Sequence, residues 1–118
     1  MTSMPAHFRL TVDRFGDVPL IRLSGDMSFG QNMSDLDDNV MHLASHGHRR
    51  LVLDLTDVES ADSTGISALL SAKRILGEAV GTVFLLRPSS RIRSALDLMR
   101  VTSMFELADD EADLSRRL

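Results

Sequence analysis

The sequence predicts an α/β fold: one mixed, mostly parallel sheet of about five strands with helices packed on it, in the order β-β-α-β-α-β-α-β-α. Three observations predict it. An alternating apolar and polar stretch opens the chain as a hairpin, two short and nearly continuous apolar runs follow, and a helical period comes after each run. Continuous apolar runs of that length mark strands buried on both faces. Strands that alternate with helices form parallel β-α-β units with right-handed crossovers. At 118 residues the chain fits a single domain, residues 1–118, large enough to bury roughly two-thirds of its unfolded surface.

Each element follows from local pattern. Phe8-Arg9-Leu10-Thr11-Val12 alternates, Phe15-Gly16-Asp17 supplies turn chemistry, and Val18-Pro19-Leu20-Ile21-Arg22-Leu23 returns, which gives a two-stranded hairpin. Leu36, Val40, Leu43 and Ala44 repeat at i, i+4, i+7 and i+8 and mark an amphipathic helix ending near Gly47. Leu51-Val52-Leu53-Asp54-Leu55 is the first buried strand, and Ile66, Leu69, Leu70, Ile75 and Leu76 line a second helix punctuated by Gly77 and Gly81. Thr82-Val83-Phe84-Leu85-Leu86 is the next buried strand, closed by Pro88; Ile92, Ala95, Leu96 and Met99 then give a third helix. Phe105-Glu106-Leu107 reads as a short edge strand. Asp109-Asp110-Glu111 and Arg116-Arg117 place charges that suit the two ends of a last helix dipole.

Composition excludes several functions. The aromatic fraction is 4% with no Trp or Tyr, and the net charge is −4 with Arg and Lys spread along the chain. Neither a base-stacking platform nor a basic nucleic-acid footprint is present, and an anionic membrane is an equally poor partner. The absence of cysteine removes disulfides, thiolate metal sites and thiol catalysis together. With no leader pattern and no apolar run near the ~20 residues that span a bilayer, a cytoplasmic location is expected. His42, His46 and His48 form H-x3-H-x-H at the end of the first helix. Without a third ligand on the same face they read as a solvated helix end rather than a metal site, and no cofactor is implied.

The stretch Ala61-Asp62-Ser63-Thr64-Gly65-Ile66-Ser67, between a strand and a helix, is the candidate site. Its plainest role is structural, with Asp62 or Ser63 capping the helix. Catalytic readings fail on spacing. Ser63 and Thr64 separate Asp62 from Gly65, unlike an acid-hydroxyl-glycine protease triplet, and Gly65-Ile66-Ser67-Ala68-Leu69 lacks the second glycine of a nucleophile elbow. A single glycine without lysine does not make a phosphate-cradling loop. A hydroxyl at a helix start is, however, suited to being phosphorylated by another protein, because free N–H groups there tolerate the added charge. Met27 and Phe29, apolar residues in the loop after the hairpin, are candidates for the same partner surface.

The chain resembles the STAS domains and, within them, the stand-alone anti-sigma factor antagonists of bacterial sporulation and general-stress pathways. The residues that carry the resemblance are Leu51-Val52-Leu53-Asp54-Leu55, then Val58-Glu59-Ser60-Ala61-Asp62-Ser63-Thr64-Gly65-Ile66, then the segment from Thr82 through Phe105-Glu106-Leu107. They span essentially the whole chain. The resemblance implies a small mixed sheet with helices on one side and a non-enzymatic function. Such antagonists bind a partner that is both an anti-sigma factor and an ATP-dependent serine kinase, and so free the sigma factor. The kinase phosphorylates the first hydroxyl after the aspartate and ends the interaction; a phosphatase resets it. On this chain the implied acceptor is Ser63, with Thr64 as secondary candidate. The implied partner surface is Asp26, Met27, Ser28 and Phe29 together with Asp62, Ser63, Thr64, Gly65, Ile66 and Ser67. Ser28 stands where such antagonists usually carry aspartate, and Ser67 where they usually carry glycine. The alternative is a STAS-type scaffold or ligand-sensing module that is never phosphorylated.

Overall fold

The computed structural model describes residues 6–77 and 80–118. Strands β1 (Arg9–Phe15) and β2 (Val18–Met27) form the hairpin. They are followed by helix α1 (Ser34–Ser45), strand β3 (Arg50–Ala61), helix α2 (Ser63–Leu76) and strand β4 (Thr82–Leu86). Helix α3 (Ser90–Leu98), one 3₁₀ turn (Thr102–Met104), strand β5 (Glu106–Ala108) and helix α4 (Glu111–Arg117) complete the chain. The element order matches the expected one, and the strands lie side by side as β1-β2-β3-β4-β5. β1 is antiparallel to β2; every other neighbouring pair is parallel.

Strand alternation divides the core in two. Leu51, Leu53 and Leu55 of β3 point to one face, with Ile21, Leu23, Val83 and Leu85 from neighbouring strands. Leu36 and Val40 of α1, Ile66 and Leu69 of α2, and Ile92 and Leu96 of α3 pack against them. Burying a side chain of this size stabilises by ~1.5–3 kcal/mol, so this layer fixes α2, and with it the candidate site, to the sheet. Val52, Phe84 and Leu86 point the other way and meet Leu114 of α4. Helices therefore cover both faces, which corrects the one-sided arrangement that the resemblance implied. In α4 only Leu114 is buried, and a helix this short follows wherever its one apolar anchor finds a partner.

A second difference is the length of β3. The apolar run predicts a strand over residues 51–55, but the strand continues to Ala61. Beyond Asp54 it pairs with β2 alone, through Asp57, Val58, Ser60 and Ala61, while β4 stops opposite Asp54. A one-sided extension does not have to be apolar. Two register shifts, between Arg22 and Ser24 and between Gly25 and Asp26, also break its alternation. Asp54, almost fully buried, holds the first shift: its carboxylate accepts from Thr56 N–H at 3.0 Å and Arg22 Nε at 3.2 Å. The long extension carries the start of α2 past the end of β4 and sets it against the last residues of β2.

Candidate functional site

Helix α2 begins where β3 ends, and Asp62 makes the junction. Its backbone is extended, and its Oδ1 accepts hydrogen bonds from Thr64 N–H at 2.8 Å and Gly65 N–H at 3.4 Å. Of the two capping candidates, Asp62 is the cap. Its Oδ2 accepts from Phe29 N–H at 3.0 Å, so one carboxylate ties the helix start to the loop after β2. The Phe29, Thr64 and Gly65 N–H groups, Phe29 first, favour the charged form and hold the Asp62 carboxyl below its ordinary value. Ser63, the first helical residue, is exposed, and its hydroxyl makes no hydrogen bond to another described residue. Ser67 is exposed one turn further on, while Thr64 is half-buried.

Beneath this surface the packing is tight. A Cβ on Gly65 would lie 2.1 Å from the Met27 carbonyl oxygen, so glycine is what lets the first turn of α2 rest on the end of β2. Gly25 plays a similar part. It has φ +81°, and a Cβ there would lie 2.3 Å from the His7 carbonyl oxygen, where the N-terminal segment crosses; Asp26 N–H donates to the Ala6 carbonyl at 2.9 Å. Asp26 Oδ1 accepts from Ser28 Oγ at 2.5 Å and from Ser60 Oγ at 2.7 Å. Those hydroxyls, Ser28 first, lower the Asp26 pKa; partial burial and the nearby Asp62 charge oppose them. Asp26 thus feels the charge of Asp62, the residue before Ser63, and among the described residues neither carboxylate pairs with a basic side chain.

The parallel β2–β3 pairing brings both predicted groups together: residues 26–29 from the end of β2 and residues 62–67 from the start of α2. Two expectations change. Met27 is not in a loop but is the last residue of β2, and Met27 and Ile66 are each only 1% exposed. Both face the core and support the surface from below, as does buried Gly65, so none of the three offers a side chain to a partner. Phe29, by contrast, is 85% exposed. Ser60 was not singled out, although it directly precedes the motif; its hydroxyl now joins β3 to Asp26. The small notch beside the site, between Glu59-Ser60-Ala61 and Ser89 with Arg91 of α3, has a volume of about 60 Å³, well below the size of an ordinary small-molecule site. At the end of α1 the His42 and His46 rings lie 4.3 Å apart. Among the described residues no group of three or more His, Cys, Asp or Glu is placed to hold a metal ion. No helix of the described residues is long and apolar enough to cross a membrane.

Solved structures share this architecture. The phosphorylated form of SpoIIAA, a Bacillus cell-fate determinant, superposes with a TM-score of 0.68 at 20% identity, covering 94% of this chain and 99% of that one. The unphosphorylated form of SpoIIAA, described as an anti-sigma factor antagonist, gives 0.69 at 20% identity, covering 92% and 96%. An anti-sigma factor antagonist from Mycobacterium paratuberculosis gives 0.67 at 21% identity, covering 85% and 84%. No curated protein matches the chain. The STAS domain family model matches residues 9–114, nearly the whole of the sheet and its helices, and the chain belongs to the STAS domain family.

Proposed function

We propose that this protein is a cytoplasmic anti-sigma factor antagonist: it binds a kinase-type anti-sigma factor, releases a sigma factor, and is switched off by phosphorylation at Ser63. A phosphatase resets the switch. The observation that carries the reading is the state of Ser63, exposed at the first position of α2 with an uncommitted hydroxyl, while Asp62 does the capping. A hydroxyl used as the cap could be modified only by opening the helix start. Here the acceptor and the cap are different residues, so modification leaves the cap in place. The reading is further supported by the likeness to antagonists, one of which is known in phosphorylated and unphosphorylated forms.

Charge arithmetic shows that one phosphate suffices. It adds ~−1.5 to −2 charge at neutral pH, next to the Asp62 carboxylate, whose charge also reaches Asp26. The N–H groups at the helix start tolerate that charge in the free protein. In a complex the phosphate would be buried against the partner. Weakening a complex 100-fold takes ~2.7 kcal/mol, and an uncompensated buried charge costs ~3–5 kcal/mol. Binding is lost while the fold persists.

Ser63→Ala is expected to bind the cognate anti-sigma kinase as the parent does and to resist phosphorylation. Ser63→Asp and Ser63→Glu are expected to fold normally and bind at least 100-fold more weakly, since either adds an unpaired charge to the buried surface. Calorimetric titration of the three variants decides the matter: equal affinity for all of them would refute the switch.

A further inference from the structure

We propose that Phe29 is the apolar anchor of the partner surface, and that the partner it fits is a protein with an apolar pocket rimmed by basic side chains. This rests on the antagonist reading above and specifies the surface that the partner meets. The Phe29 side chain is 85% exposed on a loop whose backbone is tied down. Its own N–H donates to Asp62 at 3.0 Å, and the Gln31 N–H closes the turn on the Ser28 carbonyl at 3.1 Å. A large apolar ring held in water by a fixed backbone loses little freedom on binding and hides much surface from water. Those properties distinguish aromatic anchors in interfaces from surrounding contacts.

The charge around the ring determines the rim. Asp62 bonds directly to the Phe29 backbone, and Asp26 lies next to it; both are held in the charged form by hydrogen bonds, and among the described residues neither meets a basic side chain. A partner that seats the ring also covers these carboxylates, and only cationic side chains at the pocket edge leave them compensated. The other exposed large apolar residues belong to other segments, Val12 to β1, Met41 to α1, Val80 to the turn before β4, and Leu98 and Met99 to the end of α3; none of them is aromatic. Phe29 is therefore the exposed aromatic residue whose own backbone is bonded to the cap that directly precedes Ser63.

The test is calorimetric titration of each purified kinase-type anti-sigma factor of the same organism against the parent, Phe29→Ala and Phe29→Leu at low and high salt. The proposal expects Phe29→Ala to bind roughly 30-fold or more weakly with an unchanged Tm, and Phe29→Leu, which keeps most of the apolar bulk, to recover most of the loss. It also expects the parent to weaken about fivefold or more from ~0.05 to ~0.5 M salt, as screening removes the rim attraction. Phe29→Ala binding within about threefold of the parent overturns the anchor. If Ser63→Asp still abolishes binding in that case, the antagonist reading stands without it. Salt-independent binding by the parent overturns the basic rim. A parent that binds none of the kinases overturns the antagonist reading and the anchor with it.

Discussion

The two ends of α2 solve the same problem in opposite ways. At the start, an exposed carboxylate, Asp62, takes up the Thr64 and Gly65 N–H groups that the helix leaves open. At the end, a buried cation, Lys73, donates to the Gly77 carbonyl at 3.2 Å and to the Gly81 carbonyl. Lys73 is only 7% exposed; the Gly77 carbonyl also accepts from the Gly81 N–H at 2.9 Å, so loss of the lysine chiefly strands the buried Gly81 carbonyl. The Asp62 bonds are made at the surface, where water can replace them. One end of the helix is bonded into the buried interior; the other leaves the Ser63 hydroxyl exposed at the surface.

That contrast can be broken by substitution. The largest effect is expected just under the exposed end, where Gly65→Ala forces a methyl group to 2.1 Å from the Met27 carbonyl and should cost about 3 kcal/mol, measured by denaturant unfolding. Gly65→Ala separates support from display: the layer beneath Ser63 tolerates no change even though the layer above it does. Lys73→Met comes next, at about 1–3 kcal/mol for the buried Gly81 carbonyl left without the ammonium, and should leave affinity for the anti-sigma kinase within about twofold, because the change lies at the far end of the helix. Equal losses of stability from Lys73→Met and Ser63→Asp would erase the distinction between the two ends.

Asp62→Ala should be milder, with a fall in Tm of a few degrees from loss of the cap and faster hydrogen exchange at the Phe29 amide. Acid should mimic it by protonation. The folded-state pKa of Asp62 lies below the ordinary value of 3.8. Its contribution is therefore complete above that value and disappears as pH falls through the folded pKa. Phe29 amide exchange, corrected for intrinsic rates, should be flat from neutral to mildly acidic pH and rise only below the ordinary carboxylate range. A rise between pH 7 and 5 would mean that a different group holds the loop.

Much of this was legible in the sequence. The nearly continuous apolar runs at 51–55 and 82–86 announced central strands because burial on both faces favours apolar side chains at successive positions, the buried Asp54 being held by its bonds to Thr56 and Arg22. The extension of β3 through Thr56, Asp57 and Glu59 was not, since pairing on one side alone lets exposed polar residues stand in a strand. The side on which α4 docks was equally hidden, a single buried leucine being compatible with either face. At the site, Asp62-Ser63 could be read locally as a helix start capped by one of the two residues. The bond from Phe29 to Asp62 spans 33 residues and exists only because β2 and β3 run parallel with shifted register. Met27 was misread for a related reason: Gly25-Asp26-Met27-Ser28 looks like a polar loop, but the chain is still strand at Met27 and turns its side chain inward. Ser28, standing where antagonists of this kind usually carry aspartate, proves to be a partner of Asp26 instead.

The central claim, that Ser63 is a phosphate acceptor on an otherwise unchanged surface, is tested most directly by intact-mass measurement after incubation with the anti-sigma kinase and ATP. The parent and Thr64→Ala should each gain the mass of one phosphate and Ser63→Ala none. A phosphate on Ser63→Ala, or none on the parent with a kinase that binds it, would contradict the account.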